Sequence, residues 1–457
     1  MLPLILLTGL SMSIGWGVRG QFGHEYGAAL AGALGGMVVA LLSGRADWVR
    51  RVHYFAMFGA IGWAFGGSMS YMKNLAFTQS SDSATVLYGF ASLFLIGFAW
   101  AAPGGAGVAI AARLDREELT KFFEPLCAVL AAWYLQDVFH GPLRALRGTV
   151  LVETELSAAL AIVAVLLLAL VRRKSWGIGS ALILHMAVGW WLGFLLFNVI
   201  LKWHLNPPRE DGWGAMLGMI AGILIFCARK GLKEVAFATI ATGLMGGVAF
   251  SLGQGIRLLA MASGLKTNWH SVMEQTQGLL FGVALAVALG LIARRAAKLG
   301  DDPPVRRWTE VFSVTFVMIV LTYLNFRKSP NDWVKQIATL TPEMYGIRIS
   351  GNLVPSGGFV GWFDMIYLGL AAVTIGLLVL HLRRRVPFIP ESWMGKGQLM
   401  YLAFLWAVVG INFVHVLPRF TPQRLVTEWV MTVNAMLCTV LVVIGSVSAR
   451  VRDDSPV

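Results

Sequence analysis

Long apolar runs, each ended by a short polar or basic stretch, recur along the whole chain. Fourteen can be placed, near 2–18, 27–43, 54–71, 85–111, 122–140, 154–171, 177–200, 212–228, 235–256, 275–293, 309–326, 359–381, 398–417 and 425–448. An α-helix needs about 20 apolar residues to cross the hydrocarbon core of a bilayer, and these runs are continuous. A transmembrane β-barrel would instead show ~10-residue stretches of alternating polarity. The pattern predicts an all-α polytopic membrane protein with about 14 transmembrane helices.

Composition agrees with the pattern. Only 13% of the 457 residues are charged, about half the share of a soluble domain. The net charge of +13 would suit a nucleic-acid partner, but the placement of the cations argues against one. The loops after even-numbered segments hold Arg45/Arg50/Arg51, Arg172/Arg173/Lys174, Arg294/Arg295 and Arg383/Arg384/Arg385. With the C-terminal tail they carry 23 of the 37 Lys and Arg residues, while the acids divide evenly. The positive-inside rule then puts both termini in the cytoplasm, as expected for a bacterial cytoplasmic membrane protein. The bilayer itself is a partner, and nucleic acid is not. Met1 to Val18 lacks a basic start and a small-residue cleavage site, so it reads as the first span. Cys127, Cys227 and Cys438 all fall in apolar segments without paired spacing and read as packed thiols.

One heptapeptide occurs twice. Ser13-Ile14-Gly15-Trp16-Gly17-Val18-Arg19 returns as Ser251-Leu252-Gly253-Gln254-Gly255-Ile256-Arg257. Further pairs follow in order at growing offsets. Glu25 matches Glu274, and Ser70-Tyr71-Met72 matches Thr322-Tyr323-Leu324. Gly89-Phe90 and Gly97-Phe98-Ala99 match Gly361-Trp362 and Gly369-Leu370-Ala371. Asp137, His140, Arg144 and Glu153 match Asn412, His415, Arg419 and Glu428 at one constant offset of 275. The first six segments then pair with the last six in the same orientation, as two parallel six-helix repeats around a two-helix spacer. The expected units are 1–174, an N-terminal six-helix bundle, 175–232, the spacer, and 233–457, a C-terminal six-helix bundle.

This six-two-six plan resembles the fourteen-helix members of the major facilitator superfamily. That family carries a glycine, an aspartate and basic residues between its second and third helices. Here Gly44-Arg45-Ala46-Asp47-Trp48-Val49-Arg50-Arg51 occupies that place, without the second glycine. Pro103-Gly104-Gly105 is similar to the family's proline-glycine motif but falls one segment earlier. The resemblance implies alternating access between two six-helix bundles.

The unusual polar residues gather at the ends of segments away from the basic loops. Arg19, His24 and Glu25 sit in a short stretch between the first two apolar runs. Arginine offers a planar fork for a carboxylate or phosphate, and Arg257 repeats it. The alternatives for Arg19 are snorkelling to lipid headgroups or an ion pair with Glu25. Gly15, Gly17 and Gly20 would let the first helix break so that backbone faces a ligand, or would serve close packing. Arg19, Arg257, Glu25, Glu274 and His24 are the substrate-binding candidates. Asp137, His140, His415 and Asp364 are the proton-coupling candidates, because an acid inside the membrane edge must be paired, protonated or wetted. Asp137 would otherwise pair with Arg144. His185, alone near the middle of its segment, reads as a buried hydrogen-bonding residue more than as a ligand.

No phosphate-binding loop, HExxH, GxSxG or paired CxxC occurs, so neither a cofactor nor a metal is expected. Two functions fit. The first is a secondary active transporter of a small anionic solute, proton-coupled, working by alternating access. The second is an integral-membrane transferase acting on a lipid-linked or acyl substrate at the outer face, with His24-Glu25 and the His140, Arg144 and Glu153 set as acid–base groups. Polar sets in both halves favour transport. The solute and the oligomeric state are not written in the sequence.

Overall fold

The computed structural model describes residues 1–139, 153–172, 177–205, 212–300, 306–329, 332, 348–349, 352–353, 356–416 and 421–453. The chain is an all-α polytopic membrane protein, and twelve of the described helices are long and apolar enough to cross a bilayer. The expected segments near 54–71 and 122–140 fall on shorter helices, α4 (Val52–Ala64), continued by a 3-10 turn (Phe65–Ser68), and α8 (Phe123–Val138). The described strands are two-residue pieces, β1 (Arg348–Ile349) and β2 (Asn352–Leu353), paired antiparallel.

Six helices close into a ring. In order around it they are α1 (Leu2–Phe22), α2 (His24–Leu42), α4, α6 (Ser83–Arg113), α12 (Lys233–Met261) and α13 (Trp269–Arg295), which packs back on α1. The ring thus takes helices from both expected six-helix sets. On one side stand α8, α9 (Glu153–Arg172), α10 (Ile178–Ile200) and α11 (Trp213–Lys230). On the other stand α14 (Arg307–Phe326), α15 (Ser356–Leu382), α16 (Gly397–Val416) and α17 (Pro422–Asp453). Short helices α3 (Ala46–Val49), α5 (Met72–Phe77) and α7 (Arg116–Thr120) lie in the connections. α9 and α15 are apolar with few buried residues, as suits lipid-facing helices, whereas α1, α2 and α6 are largely buried.

Glycine closes the ring. A Cβ on Gly32 of α2 would strike the Gly59 carbonyl of α4, and one on Gly62 would strike Pro103 O of α6. Gly97 meets Gly246 of α12, Gly282 of α13 meets Thr8 of α1, and a Cβ on Gly15 of α1 would come 2.6 Å from Ala31 Cα of α2. A Cβ on Gly253 of α12 would come 2.7 Å from Gln277 Cγ of α13. Every ring interface therefore has a residue without a side chain where the neighbouring helix passes, which is how small residues let membrane helices approach. Around Gly369 and Gly376 of α15 there is open space.

The first helix does not break. α1 runs unbroken through Gly15, Gly17 and Gly20, which serve contact instead: Gly17 faces Gln275, and Gly20 faces the Glu274 carboxylate, which a Cβ there would meet at 2.7 Å. The turn to α2 is the single residue Gly23, at φ 109°, a backbone conformation that side chains resist. Arg19 is therefore a helical residue in the last turn of α1, and His24 and Glu25 begin α2; the short stretch expected between the first two runs is helix on both sides of Gly23.

At the opposite end of the ring, Arg45 and Asp47 form a two-pronged ion pair (Nε to Oδ1 3.0 Å, Nη2 to Oδ2 2.6 Å). Arg45 also donates to Ala296 O and Ala297 O beyond the last turn of α13, and Leu299 N donates to Asp47 Oδ2. This pair satisfies carbonyls that the end of α13 leaves free and ties the α2–α4 connection to it.

Candidate functional site

The middle of the ring is aromatic. The Trp16 ring lies 5.1 Å from Trp100 and 4.8 Å from Phe281, both edge-on, with Trp63 and Phe250 completing the cluster. Two of the three indoles have their N–H groups employed: Trp100 Nε1 donates to Trp63 O (2.9 Å) and Trp16 Nε1 to Gln277 Oε1 (3.3 Å), while the buried Trp63 Nε1 has no partner among the described residues. Such rings form a rigid, apolar floor with defined polar contacts.

Arg19 stands on this floor, one turn beyond Trp16 on α1. Its Cζ is 4.5 Å from the Trp16 ring centre and 4.9 Å from that of Trp100, within range of cation–π attraction. The side chain is 1% exposed, which excludes snorkelling. Its ion-pair partner is Glu274 of α13, not Glu25. Nη2 donates to both Glu274 Oε1 and the Tyr71 phenol, and the phenol donates to Glu274 Oε1 at 2.8 Å. The phenol is buried and donates its hydrogen to the carboxylate, so it stands there as a neutral hydroxyl. His24 Nδ1 lies 3.4 Å from Arg19 Nη1. Taking a hydrogen bond from a guanidinium requires a lone pair there, which describes a neutral ring protonated at Nε2. His270, at the rim, approaches Glu274 Oε1 at 3.5 Å.

The repeated arginine has a different setting. Arg257, near the end of α12, is partly buried and donates from Nη1 to Gln254 Oε1 at 3.3 Å. Its buried Nε has no hydrogen-bond partner among the described residues. It lies within electrostatic range of Tyr71, the phenol that Arg19 holds. Gln254 in turn donates to Thr78 Oγ1 (2.7 Å). One turn back along α5 from Thr78, Asn74 is fully buried with neither amide atom bonded. The repeated serines keep a common role, since Ser13 Oγ donates to Gln275 O and Ser251 Oγ to Phe90 O, each across a helix interface.

Comparison with known protein families, curated proteins and solved structures finds no match to this chain. What the site can do must be read from its own groups.

The remaining sequence candidates are scattered. Glu25 is exposed and lies against Gly67, where a Cβ would come 2.5 Å from its Cγ. Asp364 accepts from Tyr323 (3.2 Å) and pairs with Arg327 (3.4 Å) on the α14–α15 side. His415 is buried, with Nδ1 3.0 Å from Ser329 Oγ and its ring 5.0 Å from that of Phe22. His140, Arg144 and the Asp137 side chain lie outside the described residues. His185 is bonded to Ala181 O (2.7 Å) and approached by Arg229 (3.3 Å). The three cysteines are free thiols, Cys227 and Cys438 of them buried. Among the described residues no group of His, Cys, Asp and Glu is placed to hold a metal. Tyr71, Trp100, His270, Gln254 and Asn74 were not foreseen as site residues. Tyr71 had a signal, its place in a repeated tripeptide. Gln254 had one too, its place in the repeated heptapeptide, whereas Asn74 at a helix end gives none.

Proposed function

We propose that this chain is a secondary active transporter of a small anionic solute, proton-coupled, in the bacterial cytoplasmic membrane with both termini inside. The observation that carries the reading is the inequality of the two repeated arginines. Arg19 is neutralised by Glu274 and fixed on aromatic rings, whereas Arg257 is partly buried with its Nε unused, within electrostatic range of the same tyrosine. A cation kept half out of water without a carboxylate within ion-pair distance among the described residues is suited to an incoming anion, which it would bind through charge-assisted hydrogen bonds. Asn74, with an unbonded amide, supplies a neutral contact for the rest of the solute. Arg19, Tyr71 and Glu274 then form the fixed wall of the site, and Glu25 and His24 its rim. The resemblance to fourteen-helix major facilitators belongs to this reading, and with it the descent from a duplicated six-helix unit and alternating access. The ring and the two flanking helix sets supply parts that could move against each other.

The test is uptake by proteoliposomes under an imposed inward proton gradient, with inorganic phosphate, sulfate and small mono- and dicarboxylates as probes. One of these anions is expected to accumulate with the gradient and not without it. Chemical conversion of an acyl or lipid-linked compound in detergent, with no gradient, would support the transferase reading instead.

A further inference from the structure

The constant-offset set of the second half, Asn412, His415, Arg419 and Glu428, is not absorbed by the arginine site. Glu428, in the second turn of α17, is 2% exposed. Its Oε2 accepts from Asn412 Nδ2 of α16, and Asn412 Oδ1 accepts from Gln21 Nε2 of α1 at 2.7 Å. Gln21 is two residues past Arg19. A line of side-chain amides thus joins a buried carboxyl to the tip of the helix that carries the buried arginine.

The two buried carboxyls near this tip have opposite company. Glu274 has a guanidinium, a phenol and an imidazole around it. Glu428 has one amide as a hydrogen-bond partner, and no Lys, Arg or His of the described residues lies within ion-pair distance, Arg424 acting on it only at longer range. A carboxylate left buried with a single neutral donor is costly in a membrane interior. The neutral acid keeps the same bond from Asn412 at little cost. The charged and titratable groups on the elements packed against this turn are Arg424 on α17, His415 on α16, Arg19 on α1, and His270 and Glu274 at the start of α13. Of these, Arg19 and Glu274 are occupied with each other.

We propose that Glu428 is a proton-binding site, holding a proton in this arrangement and releasing it when water or a cation reaches it. Its link to transport rests on the reading above: loss of the proton leaves a charge at one end of the Asn412–Gln21 line, and the other end is the tip of α1. Glu428 then carries the coupled proton, and Glu274 stays ionised.

Two measurements on the whole protein in lipid nanodiscs test this without any solute. Infrared difference spectra should show a carboxylic-acid C=O stretch at about pH 7 that disappears at alkaline pH, is lost in Glu428→Gln and survives in Glu274→Gln. Independently of any variant, dicyclohexylcarbodiimide, which attacks protonated buried carboxyls, should label Glu428 of the wild-type chain, more so at lower pH, and spare Glu274. A spectrum without a band sensitive to Glu428→Gln, or labelling that passes over Glu428, overturns the proposal and leaves the transport reading standing. An intact band together with anion uptake indifferent to the proton gradient refutes the proton-coupled transport on which the link rests, while the proton-binding assignment stands.

Discussion

Arg19 and Glu274 are a case in which removing either charge is worse than removing both. Each is buried, and each is the other's counter-ion. Glu274→Gln leaves a guanidinium uncompensated inside the ring, and loss of about 3–5 kcal/mol of stability is expected. Arg19→Gln should cost a similar amount, and the double variant should regain a good part of it, as read from unfolding in detergent. Arg257→Gln should leave stability nearly unchanged, because that side chain has only Gln254 as a partner within the described residues. Both arginines and Glu274 could be singled out from sequence as rare charges at the ends of apolar runs. Their pairing could not. Glu25 is nearer along the chain, but α2 turns it outward, and the missing side chain of Gly20 is what admits the Glu274 carboxylate.

At the scale of elements, glycine and the Arg45–Asp47 clamp set the helix contacts. Gly32→Val and Gly282→Val put atoms where carbonyls of α4 and α1 already lie, so a loss of about 1–3 kcal/mol or more is predicted. Gly369→Val and Gly376→Val, in open space on α15, should be tolerated within about 0.5 kcal/mol, and thermal melting of the four variants checks the contrast. Sequence reading left open whether the glycines of α1 break the helix or pack it, since both uses need the same residue. Only the positions of Ala31, Gln275 and Glu274 decide for packing. The clamp gives a pH prediction. Burial alone would raise the Asp47 pKa, but the bonds from Arg45 and Leu299 N–H and the charges of Arg45 and Arg51 outweigh it and hold it below the ordinary carboxylate value. A depressed pKa means that the clamp's contribution is complete above the unfolded value of about 3.9 and fades as pH falls through the lower folded value. Asp47→Asn should therefore be less stable at neutral pH, and its melting temperature should fall less steeply on acidification below about pH 4.

At the scale of the whole molecule, hydropathy located the apolar runs because it measures length and apolarity, the properties a bilayer selects. It is silent on which helix lies beside which. The ring of α1, α2, α4, α6, α12 and α13 joins segments far apart in sequence, and its glycine contacts became visible only with the helices in place. The charge bias across the loops predicts that exposed Ser263 and exposed Lys298, at opposite ends of α13, lie on opposite faces of the membrane. In a chain freed of its native cysteines, Ser263→Cys should react with an impermeant maleimide applied outside cells, and Lys298→Cys should react only after permeabilisation. The most direct measurement of the central claim is proton-driven anion uptake by proteoliposomes of the wild type beside Arg257→Gln and Arg257→Lys. The account predicts a gradient-dependent flux that falls about tenfold or more in Arg257→Gln, as for loss of a charge-assisted bond, with partial recovery in Arg257→Lys. Uptake unchanged in a correctly inserted Arg257→Gln protein would contradict it.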